Sequence, residues 1–306
     1  MDLSRGGTLT LDILFSPQLL AAALITGVLY ALISLGLNLI YGTMRLLNVA
    51  HGDLVMIGSY IAFMAFSLFN VGPLISMFGA AIICGGLGWL AYRSVFQNLL
   101  SNSEILARLE ENSLLLFFGI SVVVQNLVIL FFTADRQGYE YLSAIVEIGD
   151  VRLTGARLAV LIVGSVVSIA AVLYLRFSLF GLAINALIQN RDASAIVGIN
   201  VDRVQMFSLV IGFGITGLAG ALISVLEPIT PVMGFPYTMS AFVVIILGGL
   251  GNLWGGFLAG LLLGFLEIYG VAVTGPEWRS VLVYGIFIGI LIFRPQGLLG
   301  RGRVAR

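Results

Sequence analysis

The chain has 306 residues, of which 59% are hydrophobic and only 10% are charged, and its mean hydropathy is +1.09. A soluble domain carries about 25% charged residues, so this composition excludes an ordinary soluble protein and indicates a polytopic membrane protein. The formal net charge is zero, which gives no indication of nucleic-acid binding.

Nine apolar runs follow one another along the chain. About 20 apolar residues cross the hydrocarbon core of a bilayer, and the seventh and ninth runs are shorter than this. Glycines and Asn252 separate the seventh run from the eighth, so these two are also compatible with one re-entrant element plus a span. We therefore predict an all-α, polytopic helical bundle with eight or nine transmembrane spans. The runs cover approximately 17–41, 46–69, 72–92, 114–133, 157–176, 206–226, 237–250, 252–273 and 280–294.

The distribution of arginines predicts the orientation in the membrane, because short cytoplasmic loops are enriched in basic residues. The C-terminal segment 294–306 has four arginines and no acid, which places it in the cytoplasm. Loop 134–156 has four acidic residues against two arginines, which is typical of an external loop. Counting crossings from these two segments puts loop 177–205 in the cytoplasm and the N-terminus outside.

The segment from Asn48 to Asp53 (NVAHGD) holds the only histidine of the chain, inside the apolar run 46–69. Ionisable groups at membrane depth usually face the bundle interior or a water-filled path, although these residues could also lie at the membrane surface between two spans. Asn48 and His51 would share one face of a helix, and Gly52 is a candidate helix break. We predict that Asn48, His51, Gly52 and Asp53 belong to a helix break, where side chains bond the backbone groups left unpaired, or that they line the substrate path.

Glycine is frequent in the second half of the chain. Gly248, Gly249 and Gly251 fall within four positions, a density that unwinds a helix, and broken helices in membranes are tolerated where they line a cavity. The glycines that recur every four residues from Gly256 to Gly264 instead predict a smooth helix face for close packing. We assign the first three glycines to the candidate substrate path or helix break.

No catalytic set of residues is recognisable. With one histidine and one cysteine, the chain cannot provide the ligands of a metal cluster or a Cys-His pair. It has no nucleotide-binding motif, so an ATPase would have to be another chain, and no cofactor is expected. Glu267 is the exception among the scattered acids, because a mid-span carboxylate must pair, protonate or face water; we place it with the candidate path residues.

The cytoplasmic segment of about 177–205 has local signals for two short helices. The first is predicted at about 182–189. The second has Asp192 as its candidate N-cap and Gly198 as the residue past its end. Asp202, followed three residues later by Gln205, is typical of a capping box at the start of the next span. The segment is therefore predicted to be compact and structured.

The second short helix has an apolar face formed by Ala193, Ile196 and Val197. Such a helix can lie on the lipid surface or dock into a cytoplasmic partner. Because its polar face is not basic, the pattern favours docking to a partner protein.

Four blocks of the sequence resemble one family in the same order. Residues 38–53 (NLIYGTMRLLNVAHGD), 180–204, 241–251 (AFVVIILGGLG) and 293–300 (FRPQGLLG) closely resemble the LivH-type permeases, the membrane subunits of branched-chain amino acid ABC importers. The resemblance covers nearly the whole chain, and the Asn-x-Ala-His-Gly form is more similar to LivH than to its LivM partner.

The resemblance implies a type II ABC importer fold with residues 1–306 as a single permease domain in the bacterial inner membrane. It also implies a LivM-like second permease, two ATP-binding subunits and a periplasmic substrate-binding protein. One departure is visible in the coupling segment: where family members commonly carry Arg-Ala, this chain has Asn185 followed by alanine. The coupling residues it implies are Asn185, Arg191, Asp192, Ala195 and Gly198.

Three other functions compete with amino acid import. Related permeases carry urea, short amides or other amino acids, and the separate binding protein largely selects the cargo. A stand-alone secondary transporter would want intramembrane acids at matched positions in two halves, and Asp53 and Glu267 provide no clear match. A membrane enzyme is disfavoured because no catalytic set is present.

Overall fold

The computed structural model describes residues 16–100, 103–293 and 297, and this part of the chain is predominantly helical. A two-stranded antiparallel hairpin and a five-residue π-helix at Tyr92–Phe96 interrupt the α-helices. The elements are α1 (Pro17–Met44), α2 (His51–Phe69), α3 (Pro73–Ala91), α4 (Gln97–Leu100), α5 (Ser103–Phe132), β1 (Ile145–Ile148), β2 (Val151–Thr154), α6 (Gly155–Phe177), α7 (Leu179–Gln189), α8 (Arg191–Ile196), α9 (Val201–Ile223), α10 (Gly234–Gly248), α11 (Leu253–Thr274), a 3₁₀ turn (Pro276–Trp278) and α12 (Arg279–Phe293).

Seven helices of the described chain are long and apolar enough to cross a membrane: α1, α2, α3 with its π-helical extension, the 112–132 part of α5, α6, α9 and α11. Helices α10 and α12 have 15 residues each and occupy the two short apolar runs. The described chain thus has one helix in each of the nine predicted apolar runs, and seven of these helices are of spanning length.

Contacts at the two ends of α1 define two opposite faces of the molecule. Near its start, the Gln18 side-chain amide donates to the Arg152 carbonyl in the hairpin and accepts from the Arg152 amide N–H, at 2.8 and 3.0 Å. Just past its end, the Arg45 guanidinium donates to the Ile188 carbonyl of α7 at 3.0 Å. We call these the hairpin face and the α7–α8 face.

Helices α1 and α9 form the centre of the bundle, and most of the residues of each are buried. Helix α9 packs against α1, α2 and α3, and α11 packs along α1. The predicted glycine stripe carries the α11–α1 contact: a Cβ added at Gly260 would lie 2.6 Å from the backbone of Ala31, and one added at Gly264 would lie 2.3 Å from the backbone of Gly27. The stripe is therefore a packing surface, as predicted.

Backbone and side-chain hydrogen bonds on the hairpin face connect the loop after α5 to the segment after α9. Gln137 and Ile229 exchange backbone hydrogen bonds of 2.9 and 2.8 Å, and the Tyr139 hydroxyl lies 2.7 Å from the Ser224 hydroxyl. Burial raises the pKa of Tyr139, so this hydroxyl stays protonated. The loop that the sequence predicts to be external is thus anchored on the bundle.

Candidate functional site

A non-helical connection, residues 45–50, separates α1 from α2 and interrupts the helical structure between two apolar segments. Arg45 adopts the left-handed conformation (φ 58°) and ends α1, and α2 begins only at His51. The predictions of a break at Gly52, and of Asn48 and His51 on one helix, are therefore wrong. Asn48 lies in the connection itself and is buried, and its Oδ1 has no hydrogen-bond partner among the described residues.

Gly52 provides a close contact between helices instead of a break. A Cβ at Gly52 would lie 1.9 Å from the Gly234 carbonyl oxygen, so the start of α2 touches the start of α10 backbone to backbone. The Gly52 N–H donates to the Thr238 hydroxyl at 2.8 Å, and this hydroxyl donates to the Val49 carbonyl at 3.0 Å. Thr238 thereby satisfies backbone groups that the break leaves without helical partners.

His51 is fully buried and connects α2 to both central helices. Its Nε2 lies 3.0 Å from the Ile33 carbonyl of α1 and 2.8 Å from the Thr216 hydroxyl of α9. The Thr216 hydroxyl also lies 2.8 Å from the Gly212 carbonyl, to which it can donate. Both carbonyls are satisfied when Nε2 carries the proton, so the geometry assigns the neutral Nε2–H tautomer.

Asp53 faces α5 rather than the centre of the bundle. The carboxylate is buried, and its Oδ1 accepts from the Gln125 side-chain amide at 3.1 Å. The same amide nitrogen lies 2.9 Å from the Ser121 hydroxyl. Asp53 and His51 therefore point to different helices and do not form one pair.

The glycine-rich segment forms the turn between α10 and α11. Helix α10 ends at Gly248, and the two glycines that follow, Gly249 and Gly251, have φ angles of 92° and 82°. L-residues with side chains rarely adopt these angles, so the predicted unwinding occurs here. Asn252 then caps α11 by accepting from the Gly255 N–H at 3.0 Å.

Asn38 holds this turn against α1. Its Oδ1 accepts from the Gly251 N–H at 2.8 Å, and its Nδ2 donates to the Asn252 carbonyl at 2.9 Å. The side chain is fully buried, so both hydrogen bonds are made away from water. The predicted helix break is therefore a turn at the α7–α8 face, and the two Asn38 hydrogen bonds hold it against α1.

Glu267 forms an ion pair with Arg279. Pairing is one of the three outcomes expected for a carboxylate in mid-span, the others being protonation and contact with water. The carboxylate is 2% exposed and accepts from the Tyr30 hydroxyl at 2.6 Å and from the Arg279 Nε at 2.5 Å. A second guanidinium nitrogen of Arg279 lies 3.3 Å from the Tyr30 oxygen. This cluster joins α11, α1 and the first residue of α12.

Two short helices form in the 177–205 segment, but their caps differ from the predicted ones. Helix α7 begins at Leu179, three residues earlier than predicted, because the Ser178 hydroxyl caps it at the Gly181 N–H. Helix α8 is capped by Asn190, whose Oδ1 accepts from the Ala193 N–H at 2.9 Å. Asp192 is therefore in the first turn of α8 and is not its N-cap.

The predicted capping box at the start of α9 is also wrong. The Asn200 Oδ1 caps this helix by accepting from the Arg203 N–H at 3.0 Å. Gln205 is fully buried, and its amide donates to the Thr43 carbonyl at the end of α1 at 3.0 Å. Tertiary packing against α1 thus determines the orientation of Gln205.

Helix α8 presents its apolar side chains to the surroundings. Ile196 is 85% exposed and Val197 is 75% exposed, and Asn185, Asp192 and Ala195 are exposed as well. Arg191 is half-buried. Gly198 follows the end of α8 with φ 89°, as the sequence predicts. The segment is compact, and its apolar surface is not covered within the described chain.

Sequence reasoning did not identify Asn38, Thr238 and Arg279 as parts of the site. Each forms hydrogen bonds to a residue distant in the chain or in the next helix. The signal for Asn38 is a side-chain amide in the interior of a 28-residue apolar helix, since a buried amide requires partners.

The family model and the similar proteins all point to the same family. A family model described as the permease component of a branched-chain amino acid transport system matches residues 19–291. The permease protein BraD of Pseudomonas aeruginosa is 30% identical over 94% of this chain and 97% of its own length. LivH of Escherichia coli is 29% identical over 92% of this chain and 94% of its own.

A more distant similarity connects the chain to LivM of Escherichia coli, which is 28% identical over 39% of this chain and 28% of its own length. No solved structure matches. The matched family is that of a transport component and not of an enzyme. The chain belongs to the family of permease components of branched-chain amino acid transport systems.

Proposed function

We propose that this chain is the permease subunit of an ATP-driven importer of branched-chain amino acids. The family match across the membrane-spanning region carries the proposal, because BraD and LivH are named as high-affinity branched-chain amino acid permeases. In this function the chain hydrolyses no ATP. Its helices form half of the path and move when ATPase subunits close.

The path residues of this proposal lie at two helix breaks. One break holds Asn48 and is followed by His51, Gly52 and Asp53 at the start of α2. The other is the turn from Gly248 to Gly251, which borders Asn38. Discontinuous helices provide hinges and backbone groups at membrane depth, and the buried hydrogen bonds of His51 and Asn38 define one resting arrangement of these hinges.

The coupling function of the proposal belongs to segment 177–205. Its exposed apolar residues lie at the end of the bundle opposite to the hairpin, where an ATPase would bind. Ile196 and Val197 would fill an apolar groove of that subunit, with Ala195 on the same helix. Asn185, Arg191 and Asp192 would surround this contact, and Gly198 would return the chain to α9.

Four other proteins complete the proposed transporter. A LivM-like permease forms the second half of the path, two ATP-binding subunits bind the α7–α8 faces, and a periplasmic binding protein delivers the substrate to the hairpin face. The complex lies in the bacterial inner membrane. The chain has 15 arginines and no lysine, and its 15 acidic residues balance their charge. The C-terminal segment is rich in arginine, which supports a cytoplasmic C-terminus.

Cysteine labelling tests this orientation. In a Cys84→Ser background, a membrane-impermeant maleimide added to intact cells that lack the outer membrane barrier is expected to label Glu140→Cys. It is expected to spare Arg303→Cys until the membrane is permeabilised. The reverse labelling pattern would overturn the whole orientation, since both positions follow from one count of crossings.

Reconstitution tests the proposed function. The complete complex in proteoliposomes, supplied with its binding protein and internal ATP, is expected to accumulate leucine, isoleucine and valine. Urea and short amides are the comparison substrates, because related permeases carry them. Accumulation of these compounds in place of the three amino acids would assign the chain to another cargo, and accumulation without ATP would contradict an ABC importer.

A further inference from the structure

The guanidinium of Arg176, at the end of α6, is held between two aromatic rings. Its central carbon lies 5.4 Å from the centroid of the Phe177 ring and 5.4 Å from the centroid of the Trp254 ring at the start of α11. Both distances are within the range of a cation–π contact. The two rings therefore fix the position of the guanidinium on the surface where α6 and α11 meet.

The N–H donors of this guanidinium are not used within the part of the chain that the structure describes. Arginine has five such donors, and the Arg176 side chain is exposed and forms no hydrogen bond or ion pair with a described residue. A planar guanidinium binds a phosphate or a carboxylate through two parallel hydrogen bonds. The site therefore suits an anion with several oxygen atoms.

The position of Arg176 along its helix places it at the surface of the membrane. Helix α6 has 23 residues, and Arg176 is the last but one. A helix of this length measures about 34 Å, slightly more than the hydrocarbon core of about 30 Å. Trp254 is likewise the second residue of α11, and tryptophan is enriched at this level. The guanidinium thus lies at the depth of the lipid phosphates, on the α7–α8 face.

Two ridges of exposed apolar side chains begin at the two rings and continue into the membrane. Residues four positions apart lie on one face of a helix, and α6 and α11 are neighbours in the bundle. The α11 ridge covers about 18 Å of helix, roughly the hydrocarbon depth of one leaflet. The ridges consist of Trp254, Leu258, Leu262 and Leu266 on α11 and of Phe177, Leu173, Ile169, Val166 and Ile162 on α6.

We propose that Arg176, Phe177 and Trp254 form the headgroup site of a bound anionic phospholipid. The guanidinium binds the phosphate, and the acyl chains lie along the two ridges. Charge complementarity supports this occupant, because basic side chains at the membrane surface attract anionic lipids. A free phosphate ion would offer the same oxygen atoms but would not contact the ridges, so the intact lipid is expected to bind more tightly. The site is independent of the transported substrate.

Lipid titration of the delipidated, assembled complex in detergent tests this site. The apparent melting temperature is measured against increasing concentrations of phosphatidylglycerol, phosphatidylcholine and inorganic phosphate, since a ligand that binds the folded state raises it according to its affinity. Phosphatidylglycerol is expected to act at roughly fivefold lower concentrations than phosphatidylcholine. Inorganic phosphate is expected to have no effect at these concentrations. Native mass spectrometry counts the phosphatidylglycerol molecules that remain bound.

Substitutions at the two ends of α6 assign the binding to one arginine. Arg176→Gln is expected to lose one bound phosphatidylglycerol per chain and to reduce the preference for this lipid. Arg176→Lys keeps the charge without the planar pair of donors, so an intermediate preference is expected. Arg157→Gln is the matched control, because Arg157 is an exposed arginine at the opposite end of the same helix. This control is expected to leave both measurements unchanged.

Four results would overturn the proposal. They are no preference for phosphatidylglycerol in the unmodified complex, stabilisation by inorganic phosphate as strong as by the lipid, unchanged lipid binding in Arg176→Gln, and an equal loss in Arg157→Gln. Loss of a partner subunit from Arg176→Gln with unchanged lipid binding would show that a protein covers this surface instead. If Arg176→Gln does not assemble, Trp254→Leu decides by the same count of bound lipid, because it removes the ring and keeps an apolar side chain.

Discussion

Ala195→Arg is expected to abolish coupled uptake while leaving the permease inserted and assembled. Ala195 is exposed on α8 beside Ile196, which is 85% exposed, so the substitution adds a long cation to the surface proposed to enter the ATPase. Burying an unpaired charge in an interface costs several kcal/mol, and every 1.4 kcal/mol is a factor of about ten in affinity. Uptake by reconstituted complex is expected to fall at least about tenfold, and ATP hydrolysis is expected to lose its response to loaded binding protein.

Ala195→Ser is the matched control at the same position. It changes polarity without adding volume or charge, so uptake and substrate-stimulated ATP hydrolysis are expected to remain near the level of the unmodified protein. Normal uptake in Ala195→Arg with unchanged ATP hydrolysis would show that α8 does not dock. Loss of the variant from the membrane would indicate a folding defect, which a gel-filtration profile of the permease pair detects.

The spans could be predicted from the sequence because they depend on local composition. Every membrane-length apolar run corresponds to a helix, and the two short runs correspond to α10 and α12. The glycine-rich turn was also predictable, since Gly249 and Gly251 need the positive φ angles that they adopt. These features require no knowledge of distant contacts.

The errors concern residues whose role depends on a partner far along the chain. The sequence predicts a helix break at Gly52, but a glycine also permits close contact between helices, and only the position of Gly234 distinguishes the two roles. The spacing of Asp202 and Gln205 predicts a capping box, although the partner of Gln205 is the Thr43 carbonyl of another helix. Asn190 and Asp192 are both good N-caps, so local signals could not separate them.

The Glu267 cluster shows the same limit at the candidate site. The sequence predicts that a mid-span carboxylate needs a partner, yet it does not identify which arginine provides it. Arg279 begins the next helix, and the turn at residues 275–278 reverses the chain so that its guanidinium reaches back two turns along α11. The charge requirement was therefore predictable, whereas the residue that meets it depends on tertiary structure.

His51→Leu is expected to damage assembly and transport, and His51→Gln is expected to preserve most of both. The Nε2–H of His51 donates to the Ile33 carbonyl and lies beside the Thr216 hydroxyl. Leucine fills a similar volume but leaves these buried groups without their partner, which costs about 1–3 kcal/mol of stability. Glutamine keeps an N–H donor on a side chain of sufficient length. Co-purification with the partner subunits measures assembly, and proteoliposome uptake measures transport.

The pH profile of uptake separates a hydrogen-bonding role from a chemical role of the imidazole. If His51 only joins α2 to the two central helices, its ring keeps the neutral Nε2–H form throughout transport, so His51→Gln is expected to show the same dependence on pH as the unmodified protein. Loss of uptake in His51→Gln despite normal assembly would show that the ring itself is required. A changed pH profile would likewise show that His51 gains or loses a proton during transport. Its buried contacts with α1 and α9 would then belong to only one conformation of the side chain.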